Sequence, residues 1–272
     1  MKASRLAYPY MLACLALPLG VAAYAAPEPS GVVLAVIQSS EIDGATGKQV
    51  LKPEAAIYTG DRIITGDVGE AQIRFQDNTK LVVGPNSSMV IDAFVFNSDN
   101  SARDISINMA RGAFRFFTGD SRKDAYSITT PTATIGVRGS EFDVTVDPID
   151  NSTYVAQLGG ETRICPRKRN ESTEDSRKRK DCSIALPGCS IFVVGAGKKP
   201  RQLNATADRN LAVKNKFRYV RNQRSLLAGF RLSVSACGAF AEGSSLQNLL
   251  LTVPAAVVVL PVIFPPAPQV SP

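Results

Sequence analysis

The chain has 272 residues, 44% hydrophobic and 20% charged, with a net charge of +7, which suits one large or two modest soluble domains with a real core. It contains neither tryptophan nor histidine. The missing histidine removes the commonest general base and the commonest zinc ligand together, so the sequence argues against catalytic and metal-binding classes and implies no cofactor.

The first 25 residues read as an export signal: Lys2 and Arg5 supply positive charge, residues 11–23 are apolar, and Ala23-Tyr24-Ala25 fits a small-x-small cleavage site. The apolar run falls short of the roughly 20 residues that span a bilayer, and Pro18 and Gly20 interrupt it, which favours cleavage over a retained anchor. Cys14 follows Met11-Leu12-Ala13, a poor lipoprotein context. The mature chain is expected to begin near Ala26 and to be periplasmic or secreted.

From Gly31 onward short apolar segments alternate with turn residues, predicting a mainly β domain over residues 26–204: an antiparallel β-sandwich or jelly-roll-like fold, or a β-helical one. Residues 31–37 are an almost unbroken apolar strand, followed by a polar loop with Gly44 and Gly47. Gly60 and Gly66 bound the segment Asp61-Arg62-Ile63-Ile64-Thr65. Ala71, Ile73 and Phe75 then alternate with Gln72, Arg74 and Gln76, one dry face and one wet, and Asp77-Asn78 turns the chain into residues 80–83. Strands are further expected at residues 89–96, through Ile105, Ile107 and Met109 after a turn at 97–100, and at residues 112–117. Residues 126–130 lead into residues 129–144, and residues 153–158 form a strand ended by Gly159-Gly160.

Residues 129–144, TTPTATIGVRGSEFDV, carry the most distinctive pattern. Pro131 marks the start of a strand, and Gly136 and Gly139 bracket Val137-Arg138, as where backbone bends sharply or packs closely. Arg138 and Glu141 are expected to form a charge-assisted pair locking a corner of the sheet; alternatively Arg138 faces a groove and accepts an anionic ligand or a partner carboxylate. The stretch lies between strands rather than opening a helix, which removes the phosphate-cradle reading.

After Gly160 the composition changes. The segment 165–182 has no apolar periodicity, and Arg167-Lys168-Arg169 and Arg177-Lys178-Arg179-Lys180 flank Glu171, Glu174 and Asp175, a charged insertion in the sheet. The mature chain holds Cys165, Cys182, Cys189 and Cys237. An even number in an exported chain favours disulfides, and no spacing is C-x-x-C. Of three connectivities, the preferred one joins Cys165 to Cys182, bracketing the insertion, and Cys189 to Cys237. Closing about 18 residues stabilises by roughly 3 kcal/mol in the loop-entropy account. Strands resume at residues 183–186 and 190–195.

Residues 205–240 read as a basic amphipathic helix, with Thr206 as N-cap, an apolar stripe through Val213, Phe217, Val220, Leu227 and Val234, and Arg224 and Arg231 intruding on it. Residues 241–272 are an apolar, Pro-rich tail, broken by Pro254 and Pro261 and thus ill suited to a spanning helix. Docking of the tail, membrane contact and disorder are its three readings, in that order. Charge is uneven: residues 26–160 carry 11 basic and 17 acidic groups, residues 183–272 carry 10 and 2. That asymmetry suits self-docking of the basic region on the acidic domain, or contact with anionic membrane or envelope polymers; nucleic acid is not an expected partner.

The run from Thr130 to Phe142, with residues 60–66 and the Gln76-Asp77-Asn78 turn, resembles the FecR domain family over roughly residues 31–160. Pro131, Gly136, Gly139, Phe142, Gly60, Asp61 and Gly66 are the structural positions of that pattern, and Ser140 stands where the family usually has Thr. The resemblance implies a periplasmic all-β module that relays information by protein contact, in its best-known setting between an outer-membrane transporter and an extracytoplasmic-function sigma factor. Because the stretch before the β domain reads as a signal, a cytoplasmic segment to hold a sigma factor is not expected. The expectation is therefore an exported binding or scaffold module that meets an envelope or membrane protein. A sensor in cell-surface signalling comes second, and an envelope carbohydrate-active enzyme last.

Overall fold

The computed structural model describes residues 28–96, 102–168 and 171–232. The export signal, the turn at 97–100, Cys237 and the apolar tail lie outside the described residues. The strands are β1 (Gly31–Ile37), β2 (Ser40–Gly44), β3 (Gly47–Val50), β4 (Ala56–Ile57), β5 (Arg62–Thr65), β6 (Glu70–Phe75), β7 (Lys80–Val83) and β8 (Ser88–Phe96). There follow β9 (Ala102–Phe117), β10 (Tyr126–Thr129), β11 (Ala133–Val146), β12 (Thr153–Pro166), β13 (Ser183–Ala185), β14 (Ser190–Val194) and β15 (Arg201–Gln202). Short helices are α1 (Thr173–Arg177), α2 (Thr206–Lys216) and α3 (Arg218–Arg221). Among the described residues no helix is long and apolar enough to cross a membrane.

The fold is mainly β, as the alternation predicts. All strands join one sheet in the order β15-β14-β12-β11-β10-β9-β7-β6-β1-β4, with β2, β3, β5, β8 and β13 attached beside this path. Pairing is antiparallel except between β9 and β10. The loop expected around Gly44 and Gly47 is instead the β2–β3 hairpin. Its residues are polar because β3 pairs with β2 alone and is exposed throughout.

Three strands are longer than the sequence pattern suggests, and each changes neighbours along its length. β9 pairs with β8 and β10 through its first half and with β7 and β11 through its second. β12 does not end at Gly159-Gly160 but runs on to Pro166. These bends curl the sheet around one core, in which Val33, Ile73, Phe116, Ile135, Phe142 and Phe192 are buried together. Phe75 and Phe94 stack at 4.9 Å although their strands are not sheet neighbours, a contact only a folded-back sheet can make.

A C-terminal layer covers part of the sheet's outer face. Val213 and Phe217 pack on Ala156, Leu158 and Ile191, and farther along Tyr219, Leu226 and Phe230 pack on Val82 and Phe117. The single helix expected over 205–240 is broken. α2 starts at Thr206 with Ala205 as its N-cap and stops at Lys216, Phe217 leaves helical geometry (φ −110°, ψ 79°), and after α3 the chain continues to a 3-10 turn at Ala228–Phe230. The break resolves the conflict seen in the sequence, since Tyr219, Leu226 and Phe230 face the sheet while Arg224 and Arg231 stay exposed. The same layer overrides the predicted wet face: Arg74 and Gln76 are exposed, but Gln72 is buried beneath the strap formed by residues 222–232.

Candidate functional site

The distinctive stretch fills the end of β10, the turn at the exposed Pro131, and β11. Behind the turn the buried Thr153 hydroxyl lies 2.7 Å from Thr130 Oγ1 and 2.8 Å from Thr132 Oγ1, and Thr132 Oγ1 donates to the Val194 carbonyl at 2.9 Å. All three threonines are buried, and each hydroxyl finds a hydrogen-bond partner in the cluster or in a nearby carbonyl. Ala133, Ile135, Val137, Phe142 and Val144 point into the core. Gly136 sits in a regular ladder between Ser127 and Arg163, and a Cβ there would meet nothing nearer than 3.9 Å, so the close packing expected at this glycine is absent.

The bend lies one step later. Gly139 and Ser140 face the single Gly160, so the register shifts between Arg138, opposite Glu161, and Glu141, opposite Gly159. This two-against-one count, with Gly139 at φ 70°, is a β-bulge of the glycine type. Gly160 is equally constrained: its φ is 65°, and a Cβ would collide with the Gly139 carbonyl. The Ser140 hydroxyl donates to the Glu161 carbonyl and ties the bulge to β12.

The expected Arg138–Glu141 pair does not form. The bulge turns Glu141 over Gly159, and Arg138 reaches across the ladder to Glu161 at 3.7 Å. With 65% of the Arg138 side chain exposed, water screens that pair and it adds little stability.

The other family-like positions are scaffolding. Asp61 is buried and accepts the Tyr58 N–H at 2.8 Å; burial pushes its carboxyl up. Gly60 N–H donates to the Ile91 carbonyl at 2.8 Å, and Gly66 N–H to that of Ser39 at 2.7 Å. In the Gln76-Asp77-Asn78 turn, Asp77 accepts Thr79 N–H at 3.1 Å, Thr79 Oγ1 at 2.9 Å and the Tyr126 hydroxyl at 2.7 Å. Burial pushes the Tyr126 phenol up to about 12.

Two coverings close over the outer side of this scaffold. The charged insertion is folded: Ser172 caps α1, accepting Asp175 N–H at 3.0 Å, and the buried Ser176 hydroxyl donates to the Pro166 carbonyl at 3.2 Å. The Cys165–Cys182 disulfide closes it. The expected partner of the buried Cys189, Cys237, lies outside the described residues. On this side of β10 and β11 the hydroxyls of Ser127 and Thr134 are buried with no protein hydrogen-bond partner.

Under the C-terminal layer lies a polar hub that the sequence did not announce. Arg115 and Asp143, both essentially buried, form a two-pronged ion pair with Nε to Oδ1 at 2.6 Å and Nη2 to Oδ2 at 2.9 Å. Arg115 Nη1 donates to Gln223 Oε1 at 2.6 Å, and the guanidinium stands over the Tyr219 ring. Glu70 accepts the Tyr219 hydroxyl at 2.9 Å, the Ser225 hydroxyl at 3.0 Å and Gln72 Nε2 at 3.0 Å. Burial pushes the Asp143 carboxyl up, with Arg115 opposing the shift; burial and Glu70 push the Tyr219 phenol up. Three strands (β6, β9 and β11), α3 and the strap contribute to the hub, so no local spacing reveals it.

Residues 61–163 match the family model described as FecR protein. Two crystal structures of a candidate anti-sigma factor from Parabacteroides distasonis are similar at 16% identity and a TM-score of 0.39, covering 56% of this chain and 63% of that one. A structure described as a cell surface anchoring domain aligns with 22% of this chain and 82% of its own, at 29% identity and a TM-score of 0.22. The chain thus spans less than two thirds of the length of the two anti-sigma structures. No curated protein matches it.

Proposed function

We propose, from the match of residues 61–163 to the FecR family model, that the chain is a non-enzymatic envelope component of cell-surface signalling that acts by contact with a membrane-associated protein. The family match carries this reading. A contact role suits the family-like residues, since the threonine cluster, Asp61, Asp77 and the Gly139–Gly160 bulge all make contacts within the fold. The disulfide suits an oxidising compartment and so a periplasmic or secreted chain. Arg138, exposed beside the bulge and paired with the half-buried Glu161, is the group offered to the partner, whose carboxylate replaces Glu161 on the guanidinium.

A photo-crosslinking residue at Arg138 in the full chain tests this, with one at the exposed Lys52 as control. In intact cells the Arg138 probe should label a membrane protein that the Lys52 probe does not, and Arg138→Glu should abolish that contact while melting as the parent does. Equal labelling from both sites, or none from Arg138, refutes the assignment.

A further inference from the structure

The C-terminal layer is held to the sheet by groups that carry no charge, and this leaves its charge on the other side. Its anchors are Val213, Phe217, Tyr219, Leu226 and Phe230, with Gln223 and Ser225 on the polar hub. Lys216 of the layer forms an ion pair with Asp147 of the acidic domain. The self-docking that the charge asymmetry suggested thus occurs, but almost without use of the charge. Lys214, Arg218, Arg221, Arg224 and Arg231 are exposed, as are Lys198, Lys199 and Arg201 just before α2. Over residues 183–232 a single acidic residue, Asp208, accompanies ten basic ones.

Two leucines stand on this cationic surface. Leu211 is 59% exposed one helical turn before Lys214, and Leu227 is 43% exposed between Arg224 and Arg231. Apolar side chains framed by lysine and arginine are what a segment lying at a lipid interface presents, the apolar groups entering the acyl boundary and the cations meeting headgroups. A polyanion in water has use for the cations and none for the leucines. We propose that the outer side of this layer, from Leu211 to Arg231, docks on an anionic phospholipid surface. The acidic remainder of the domain is repelled by the same surface, so the charge asymmetry fixes one orientation, with the layer on the lipid and the sheet behind it.

Co-sedimentation of the full chain with phosphatidylcholine vesicles, with and without phosphatidylglycerol, tests this. Binding should require phosphatidylglycerol and weaken as salt rises. Combined Lys214→Gln, Arg218→Gln and Arg224→Gln should weaken it on the order of a hundredfold, and Leu211→Ser with Leu227→Ser at least about tenfold. All five positions are exposed, and an unchanged melting temperature verifies the fold. Failure to bind phosphatidylglycerol vesicles overturns the proposal, and so does full binding by the glutamine variant. Binding lost in the glutamine variant but untouched in the serine variant, with equal affinity for soluble dextran sulfate, also overturns it and makes the layer a polyanion site.

Discussion

Breaking the buried Arg115–Asp143 pair from one side should cost far more than removing it whole. Only 1% of the Arg115 side chain and 3% of the Asp143 side chain is exposed, so neither charge has water to fall back on. Truncating one member of such a pair costs about 3–5 kcal/mol, whereas replacing both by apolar residues of similar volume is close to neutral. Arg115→Met and Asp143→Asn should each lower the melting temperature by roughly 10 °C, at about 2–4 °C per kcal/mol for a domain of this size. Arg115→Met with Asp143→Leu should recover most of the loss, because Gln223 Oε1 keeps a second donor in Leu232 N–H at 2.8 Å.

The pH dependence separates the two single variants. The folded Asp143 carboxyl sits above its unfolded value of 3.8, so its ionisation disfavours the fold; that penalty is absent below 3.8 and complete above the folded value. Arg115→Met removes the opposing charge and raises the folded value further. Its deficit against the parent should therefore shrink as pH falls from neutral toward 4, while that of Asp143→Asn, with a permanent arginine cation left unpaired, should not. Urea unfolding at several pH values reads both. A single variant no worse than the double at neutral pH, or an Arg115→Met deficit flat in pH, would refute the reasoning.

Gly160→Ala should cost more than about 2 kcal/mol, seen as a lowered urea midpoint, since it combines a positive φ with a collision on the Gly139 carbonyl. Cys165→Ser with Cys182→Ser should destabilise by about 3 kcal/mol for its separation of 17 residues. Limited proteolysis of that variant should cut the insertion at its Lys and Arg residues before any other site. The Tyr126 phenol should titrate near 12 rather than 10.0, as ultraviolet phenolate absorbance would report. Because the folded value is raised, the stability it contributes is complete below pH 10 and lost as pH rises through 12, and Tyr126→Phe should remove that alkaline loss.

What the sequence made legible was what period and local turn chemistry encode. The β6–β7 hairpin at Asp77-Asn78, the inward set of β11 and the Cys165–Cys182 bridge all follow from alternation, turn residues or spacing. Other features depend on residues far apart in the chain. Gln72 reads as solvent-facing from its neighbours and is buried only because Ser225 and Leu227 arrive some 150 positions later. Arg138 and Glu141 look paired at a three-residue spacing, yet a bulge that needs Gly160 on another strand sends them to different partners. The helical stripe already carried the intruding Arg224 and Arg231, and the chain escapes that conflict by breaking at Phe217, a break that no local period encodes.

The matched segment and the folding unit have different boundaries, which bears on where specificity resides. Residues 61–163 supply the bent strands β9 and β11 and most of β12, yet β6 is flanked by β1 from before the match, and β12 by β14 from after it. Val33, Ile57, Phe192 and Val194, all outside the match, are buried in the same core as Phe142, so the matched segment alone would expose apolar faces of its central strands. Both coverings, the disulfide-closed insertion and the C-terminal layer, also come from outside the matched residues and conceal much of the outer side of β11. The side chains that the distinctive stretch leaves exposed are therefore those of Pro131, Arg138 and Glu141, the last two at the bulge. The strands set the geometry of that surface; the coverings set most of its chemistry.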